Sequence, residues 1–468
     1  MQWASLFSHD FPYSVLALEH GVLVFGGLLI YLLLTRIGQQ RRPPASAVAW
    51  IMVIGLFPYV GIPIFLLFGT RKFPRPVRKS LPLSCPDVVP EPVWATGLLA
   101  AMDLQPASSN RAIVFHENGT VSKTALLALI EGAVQQIELC SFILAPDEMG
   151  QELIAALVNA AKRGVKVRTL LDTVGGLQKS RRHIPALRAA GISVRWFMPL
   201  LHNPLKGRSN LRNHRKMVIV DSAQLWSGGR NFAVEYFIDR PGHPAWVDLS
   251  FVVRGPLAKQ AQRLFERDWE MPAGINQPLA GDSEETFADH GARVQLVPSG
   301  PDLADDTVYD LLLTAAYQAR RRIVAVTPYF VPDDTLLLAW CMACRRGVEF
   351  TLLIPRRSNH TLADLAREQA LRELAHVGAR IVLYPGMIHA KAVIIDDALA
   401  LCGSANLDGR SLFLNFELMT AFYGAAEIDW LAAWVQQQVA QAQPYKPQVP
   451  TWGRDIIEGL ARTVGFQL

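Results

Sequence analysis

Two stretches decide the fold: Asn213-His214-Arg215-Lys216-Met217-Val218-Ile219-Val220-Asp221 and Ile388-His389-Ala390-Lys391-Ala392-Val393-Ile394-Ile395-Asp396. Each sets a histidine two positions before a lysine, and that lysine five before an aspartate. With 11 histidines in 468 residues, composition alone yields roughly 0.013 copies of this spacing per chain, so two copies form a motif. Side chains alternate along an extended backbone, which places the histidine and lysine of each copy on one face. The apolar runs that follow, Met217–Val220 and Val393–Ile395, read as buried strands.

The matched register continues outward. Six residues separate Asp221 from Gly228-Gly229-Arg230-Asn231, and six separate Asp396 from Gly403-Ser404-Ala405-Asn406. Asp248-Leu249 then opens an apolar strand ending at Gly255, and Glu417-Leu418 opens another ending at Gly424. Upstream, residues 135–171 and 320–354 share one order: strand, helix, Arg-Gly-Val, strand. Gly164 and Gly347 sit where a helix C-cap needs glycine. Strands alternating with helices predict two α/β halves on a mostly parallel sheet.

An imidazole beside an ammonium repels a divalent cation and suits an anion. Asn231 and Asn406 add neutral donors, and the adjacent glycines permit close approach of a ligand. A phosphodiester fits such a pocket: Lys216, Lys391 and the two asparagines would balance its oxygens, where charge builds in the transition state. One of His214 and His389 can attack phosphorus and form a phosphohistidine, while the other handles the proton of the leaving and entering alcohol. Each imidazole needs a partner on its second nitrogen, a task for which Asp248 and Glu417 are the candidates. Each half supplies one histidine, so the halves are expected to face each other across one cleft.

Other clusters carry less. Cys341 and Cys344 have zinc-like spacing, yet they fall in a helical pattern with no second pair nearby and read as core. Arg320-Arg321-Arg322 reads as a cap on a helix C-terminus. Arg208, Arg212 and Arg215 near the first histidine fit either anion steering or a solvated basic edge. Five cysteines in the whole chain exclude a disulfide framework. A chain that is 50% hydrophobic and 19% charged is not disordered.

The mean hydropathy of +0.18 is high for a soluble enzyme, and the excess is local. Val15–Leu34 is broken only by Glu19 and His20, and Ala45–Gly69 carries no charge. Both are long enough for a membrane helix, at roughly twenty residues per ~30 Å of hydrocarbon. Pro58, Pro63, Gly55 and Gly61 leave a kinked span or a re-entrant hairpin open for the second. Three basic residues follow the first segment and five follow the second, which places the C-terminal part in the cytoplasm by a narrow count.

The two His-x-Lys-x4-Asp motifs and their Gly-Gly-x-Asn and Gly-Ser-x-Asn sequels resemble the phospholipase D superfamily. Further stretches resemble its bacterial cardiolipin synthase branch: Pro58-Tyr59-Val60-Gly61-Ile62-Pro63, Trp246-x-Asp248, Ser299-Gly300-Pro301-Asp302, Thr327-Pro328-Tyr329-Phe330-Val331-Pro332, and Asn406-Leu407-Asp408-x-Arg410-Ser411 leading to Asn415-Phe416-Glu417. Val247 departs from the branch, which usually has arginine there. The resemblance implies an α/β fold of two fused phospholipase D-like repeats around one shared active site, behind an N-terminal transmembrane helical hairpin. The expected organisation is an anchor at 1–73 (spans near 15–35 and 45–69), a linker at 74–107, repeats at 108–275 and 290–442, and a tail at 443–468 with an amphipathic helix.

It further implies a multi-pass enzyme of the bacterial inner membrane that joins two phosphatidylglycerol molecules into cardiolipin, without metal or other cofactor, His214 attacking. His214, Lys216, His389 and Lys391 would be catalytic, Asn231 and Asn406 phosphate-binding, and Asp248 and Glu417 histidine-orienting. Asp221 and Asp396 belong to the catalytic motif as supports. Membrane lipids are the expected partners, and no nucleic acid is expected, because +5 over the chain is modest. The motifs handle the phosphate and not the acceptor, so hydrolysis or transfer from another donor remains open.

Overall fold

The computed structural model describes residues 11–37, 44–69, 92–177, 180–198, 210–271 and 291–465. The chain divides into two compact units, Met1–Lys79 with Pro199–Leu211, and Ser80–Met198 with Arg212–Leu468. Arg208 lies outside the described residues.

The first unit contains helices Phe11–Ile37, Pro44–Leu56 and Pro58–Phe68. Ala17–Thr35 is long and apolar enough to cross a membrane. The expected second span is interrupted at Phe57, whose backbone leaves the helical region at φ −134°, with Pro58 opening the next helix. Proline lacks an N–H and its ring bars the preceding residue from helical geometry, which explains the break. Tyr31, Ile54 and Phe65 form this unit's small core.

In the second unit each half builds a sheet with the same spatial order. In the first half it runs Ala112–His116, Ser250–Arg254, Gln224–Gly228, Met217–Val220, Gln136–Ser141, Lys166–Asp172, Ser193–Phe197. The second runs Ala292–Ser299, Glu417–Phe422, Leu399–Gly403, Ala392–Ile395, Arg322–Val326, Glu349–Pro355, Arg380–Tyr384, with short strands added at both edges. The sheets are mixed rather than mostly parallel. Only the last three strands of each order pair in parallel; the others are antiparallel because the motif strand turns straight back into its neighbour. Asp221 and Ser222, at φ 51° and 55°, and Asp396, at φ 50°, make those turns. A connection this short can join only antiparallel strands.

Gly164 and Gly347 adopt φ 91° and 90°, the left-handed C-cap the sequence predicted. Val165 N and Val348 N each reach back to a carbonyl of the preceding helix. The Arg320–Arg322 run does not cap a helix: Arg321 and Arg322 pair with Asp397, and Arg346 Nη2 reaches Ala316 O and Ala319 O at the end of helix Thr307–Gln318. Cys341 and Cys344 lie on helix Asp334–Arg345 and pack in or against the second half's core, as expected.

Two segments depart from the expected boundaries. The stretch read as a linker over 74–107 includes helix Val93–Ala101, whose Ala95 and Leu99 are buried in the core of the second half. Ser108–Asn110 pairs with Ala292–Val294 and so extends the second sheet rather than the first. Val93–Ala101 is apolar almost throughout, but a linear reading does not show which core such a short run joins. At the other end, helix Trp452–Gly465 packs Ala461 against Val331, Leu362, Leu365 and Ala366. Glu458 ties it down through Arg372.

Candidate active site

The site forms where the two halves exchange backbone. Each motif histidine lies just before its strand, not within it, in extended chain that bridges to the other half. His214 N donates to Phe416 O at 2.8 Å, and His389 N donates to Val247 O at 2.7 Å. Phe416 and Val247 each immediately precede an acid, so the backbone pairing brings that acid to the histidine. His214 Nδ1 lies 3.0 Å from Glu417, and His389 Nδ1 lies 2.7 Å from Asp248. Each half therefore sets an acid against the other half's imidazole. Val247 serves through its backbone, which tolerates valine where the branch has arginine.

All four groups are withdrawn from water. The Glu417 and Asp248 side chains are 0% exposed, against 12% for His214 and 4% for His389. Burial alone would push both carboxyls up. The hydrogen bond from His389 with the charges of Lys391 and Arg230 outweighs it at Asp248, and the hydrogen bonds from His214 and Ser404 with the charge of Lys216 at Glu417, holding both below the usual carboxylate range. Burial holds both imidazoles below their ordinary value, His389 at about 3 with help from the Lys391 charge. The ionised acids thus face neutral imidazoles whose Nδ1–H donates, leaving Nε2 as the free lone pair.

The lysines are equally enclosed. Lys216 Nζ donates to His214 O at 2.6 Å, and Lys391 Nζ likewise donates to His389 O at 2.5 Å while also lying 2.9 and 3.0 Å from Nδ1 and Nε2 of that ring. Burial brings Lys216 down to about 8 and Lys391 to about 7, against the attraction of Asp248 and Glu417. Such ammonium groups lack a full counter-charge and favour an anion in the cleft. Asn231 and Asn406 are buried, and each leaves Oδ1 without a hydrogen-bond partner. Asn231 Nδ2 donates to the Tyr236 hydroxyl; because a phenol can donate or accept, the amide can turn and offer N–H instead. Buried polar atoms left open in this way mark a place for a ligand.

Asp221 and Asp396 are not brought to this cluster. Asp221 accepts from the amides of Val134, Gln135 and Gln136 at 2.7–2.9 Å. Asp396 accepts from those of Arg320, Arg321 and Arg322. Both pin the loop that feeds the first strand of the parallel trio.

Several residues escaped the sequence reading. Arg215 is neither a steering group nor a basic edge: it is buried, ion-paired with Asp268, and its Nε holds Glu417 O at 3.1 Å. Arg230, fully buried and lowered by burial to about 10, likewise holds Asp248 O. Each acid's backbone is thus gripped by a buried guanidinium from the first half. Arg212 is also buried and reaches Met198 O. Ser404 and Asn415 donate to Glu417. Phe142 stands edge-on to His214, and Tyr236 and Trp246 flank His389. The motif positions of Ser404, Asn415 and Trp246 were the available signal; Asp268 and Phe142 had none, since only the fold brings them near.

Comparison with known proteins gives the family. The sequence model described as "Cardiolipin synthase, PLD-like domain" matches residues 126–269 and 312–439, one stretch in each half. "Phospholipase_D-nuclease N-terminal" matches residues 25–69. Cardiolipin synthase A of Pectobacterium carotovorum is 33% identical over 426 residues, covering 85% of this chain and 87% of its own. Cardiolipin synthase of Geobacillus kaustophilus is 32% identical over 411 residues, covering 83% and 81%. In fold, the chain is similar to phosphatidylserine synthase of Haemophilus influenzae, with a TM-score of 0.63 at 15% identity over 80% of this chain and 100% of that one. Matched in both repeated halves and along most of its length, the chain belongs to the cardiolipin synthase family of phospholipase D-like proteins.

Proposed function

We propose that this chain is a membrane-bound phosphatidyltransferase that makes cardiolipin and glycerol from two molecules of phosphatidylglycerol. The observation that carries this reading is the reciprocal pairing of His214 with Glu417 and His389 with Asp248, which gives one site two oriented imidazoles. The cardiolipin synthase relatives supply the lipid chemistry.

The division of labour follows from the lysines. Lys391 Nζ, 2.9 and 3.0 Å from the two ring nitrogens of His389, stands close enough to return a proton to that ring, so His389 suits acid–base work. Lys216 bonds to the backbone of His214 and leaves its Nε2 free to attack. His214 Nε2 then bonds to phosphorus as the P–O bond to the first glycerol breaks, and His389 gives that alkoxide its proton. The terminal hydroxyl of the second lipid loses its proton to His389 and attacks phosphorus. The P–N bond breaks, and cardiolipin leaves with His214 restored. In the empty cleft burial keeps both imidazoles neutral; the negative diester supplies the field that lets His389 carry a proton. The two lysines and Asn231 and Asn406 balance the phosphoryl oxygens.

Full-length enzyme in mixed micelles with glycerol-labelled phosphatidylglycerol tests this. Cardiolipin with release of about one labelled glycerol per product is expected; phosphatidic acid as the main product overturns the transferase reading in favour of hydrolysis.

A further inference from the structure

The anchor's three helices share a packing order that fixes their directions. His20 lies beside Tyr59 with ring centroids 6.3 Å apart, and Tyr31 lies beside Phe65 at 5.2 Å. The contacts on the third helix thus advance in the same sense as those on the first, so these two run parallel. Trp50 also meets Phe65 at 5.2 Å, at the level of Tyr31. A side chain at Gly27 would meet both Ile54 and Ile62. Trp50 therefore lies level with Tyr31 and Ile54 with Gly27, so the second helix runs back toward the start of the first. The chain descends through Phe11–Ile37, climbs through Pro44–Leu56, reverses at Phe57 and descends again through Pro58–Phe68.

Length bears on what those reversals mean in a bilayer. The second and third helices have 13 and 11 residues, about 20 and 17 Å at 1.5 Å per residue, short of a ~30 Å hydrocarbon core. The reversal between them is closed internally: Phe57 N bonds to Val53 O at 2.9 Å and Gly61 N to Phe57 O at 2.7 Å. A Cβ at Gly61 would lie 2.8 Å from Val53 O, so glycine lets the two arms come this close. Backbone that turns inside a bilayer must satisfy its polar groups in this internal way.

We propose that the anchor crosses the membrane once, through the first helix, and that residues 44–69 form a re-entrant hairpin that enters the bilayer from the cytoplasmic face and returns to it. Charge supports it independently. Before Arg36 the chain has no lysine or arginine. Two spans would split Arg36, Arg41 and Arg42 from Arg71, Lys72, Arg75, Arg78 and Lys79 across the membrane. A hairpin returns all of them to one side, and the narrow count of the linear reading becomes one-sided, placing that side in the cytoplasm. The chain from Ser80 onward is then cytoplasmic and the N-terminus external.

This rests on the membrane reading and not on the chemistry of the site. A membrane-impermeant maleimide reagent applied to intact cells, and to the same cells permeabilised, tests it on the full chain. Cys140, Cys341 and Cys402 are buried and Cys344 is half-buried, so Ser5→Cys and Gln39→Cys are made in a Cys85→Ser, Cys344→Ser chain. Ser5→Cys is expected to label in intact cells, and Gln39→Cys only after permeabilisation. Cys85 in the unchanged chain is expected to behave like Gln39→Cys. Labelling of Gln39→Cys but not Cys85 in intact cells would establish two spans and overturn the hairpin. Labelling of both would overturn the cytoplasmic placement. Cardiolipin formation by each variant, measured in isolated membranes, confirms that the anchor is correctly assembled in the chains compared.

Discussion

Glu417 of the second half holds His214 of the first, with Oε2 3.0 Å from Nδ1 and the carboxylate fully buried in the shared cleft. A carboxylate in that position fixes the tautomer and stabilises the imidazole as it takes on charge. Glu417→Gln keeps the shape and removes the charge. We expect kcat to fall by about 10²–10⁴-fold, the range of a positioned acid–base group, with KM for phosphatidylglycerol changed little. Asp248→Asn is expected to do the same through His389. Initial rates over a range of lipid mole fraction in mixed micelles check both, and a pure KM effect would refute the orienting role.

The two histidines are separable by trapping. A donor with a nitrophenolate leaving group needs no proton from the enzyme. Mixed with that donor and quenched in alkali, His389→Ala is expected to retain a labelled phosphohistidine while losing at least about 10²-fold in turnover of phosphatidylglycerol. His214→Ala is expected to trap none. Label on His389 in the unchanged enzyme would reverse the assignment.

These pairings show what a linear reading can reach. The repeated His-x-Lys-x4-Asp stretches and the acids at matched register were legible because each is a short run with its own periodicity. That Glu417 would serve His214 and Asp248 serve His389 was not legible, since it depends on Phe416 and Val247 lending backbone across the halves. Arg215 was misread, and Arg230 passed over, for a related reason. In sequence a guanidinium suggests surface or ligand, and only the fold supplies Asp268 and the carbonyls that accept from it. The mixed sheet was missed because strand runs do not declare direction; the left-handed Asp221 and Asp396 do, once seen.

Gly229 and Ser404 occupy equivalent positions and are not interchangeable. A Cβ at Gly229 would lie 2.2 Å from Asp248 Oδ1, whereas Ser404 Oγ donates to Glu417 at 2.5 Å. Gly229→Ser is therefore expected to displace Asp248 and cost about 10²-fold or more in kcat, the scale of a misplaced catalytic group. Ser404→Gly loses one hydrogen bond to a charged group, about 1.5–3 kcal/mol or roughly 10–100-fold. Steady-state rates on the two variants decide the order.

Burial sets the pH response. With Lys391 near 7 and Lys216 near 8, the empty site loses cations as pH rises through that interval, and kcat/KM is expected to fall on an alkaline limb between about 7 and 8. A bound phosphodiester stabilises both ammonium groups, so the limb in kcat should lie at higher pH. For stability the sign is opposite. The folded lysines titrate below their ordinary 10.5, so the unfolded chain binds more protons from about 7 to 10.5 and their contribution to stability rises with pH across that window. Rate profiles from pH 6 to 9.5 check the first expectation; a flat kcat/KM would refute it.

Asp221 and Asp396 complete the motif without touching its chemistry, and the two roles can be told apart. Asp221 collects three backbone amides at the start of strand Gln136–Ser141 while itself holding φ 51°. Removing it leaves those donors to water and forces another side chain into a left-handed turn that aspartate tolerates better than most. Asp221→Ala is expected to lower stability by about 1–2 kcal/mol, the upper range for loss of a capping side chain. Asp396→Ala should cost a similar amount. Below the melting transition kcat should stay within about threefold of the unchanged enzyme, since neither carboxylate reaches an imidazole; on this scale a threefold change is under 1 kcal/mol of barrier. Thermal unfolding in detergent, paired with rates at 20 °C below each variant's own midpoint, separates the two effects. A kcat loss comparable to that of Glu417→Gln with an unshifted midpoint would place the motif aspartates back in the catalytic step.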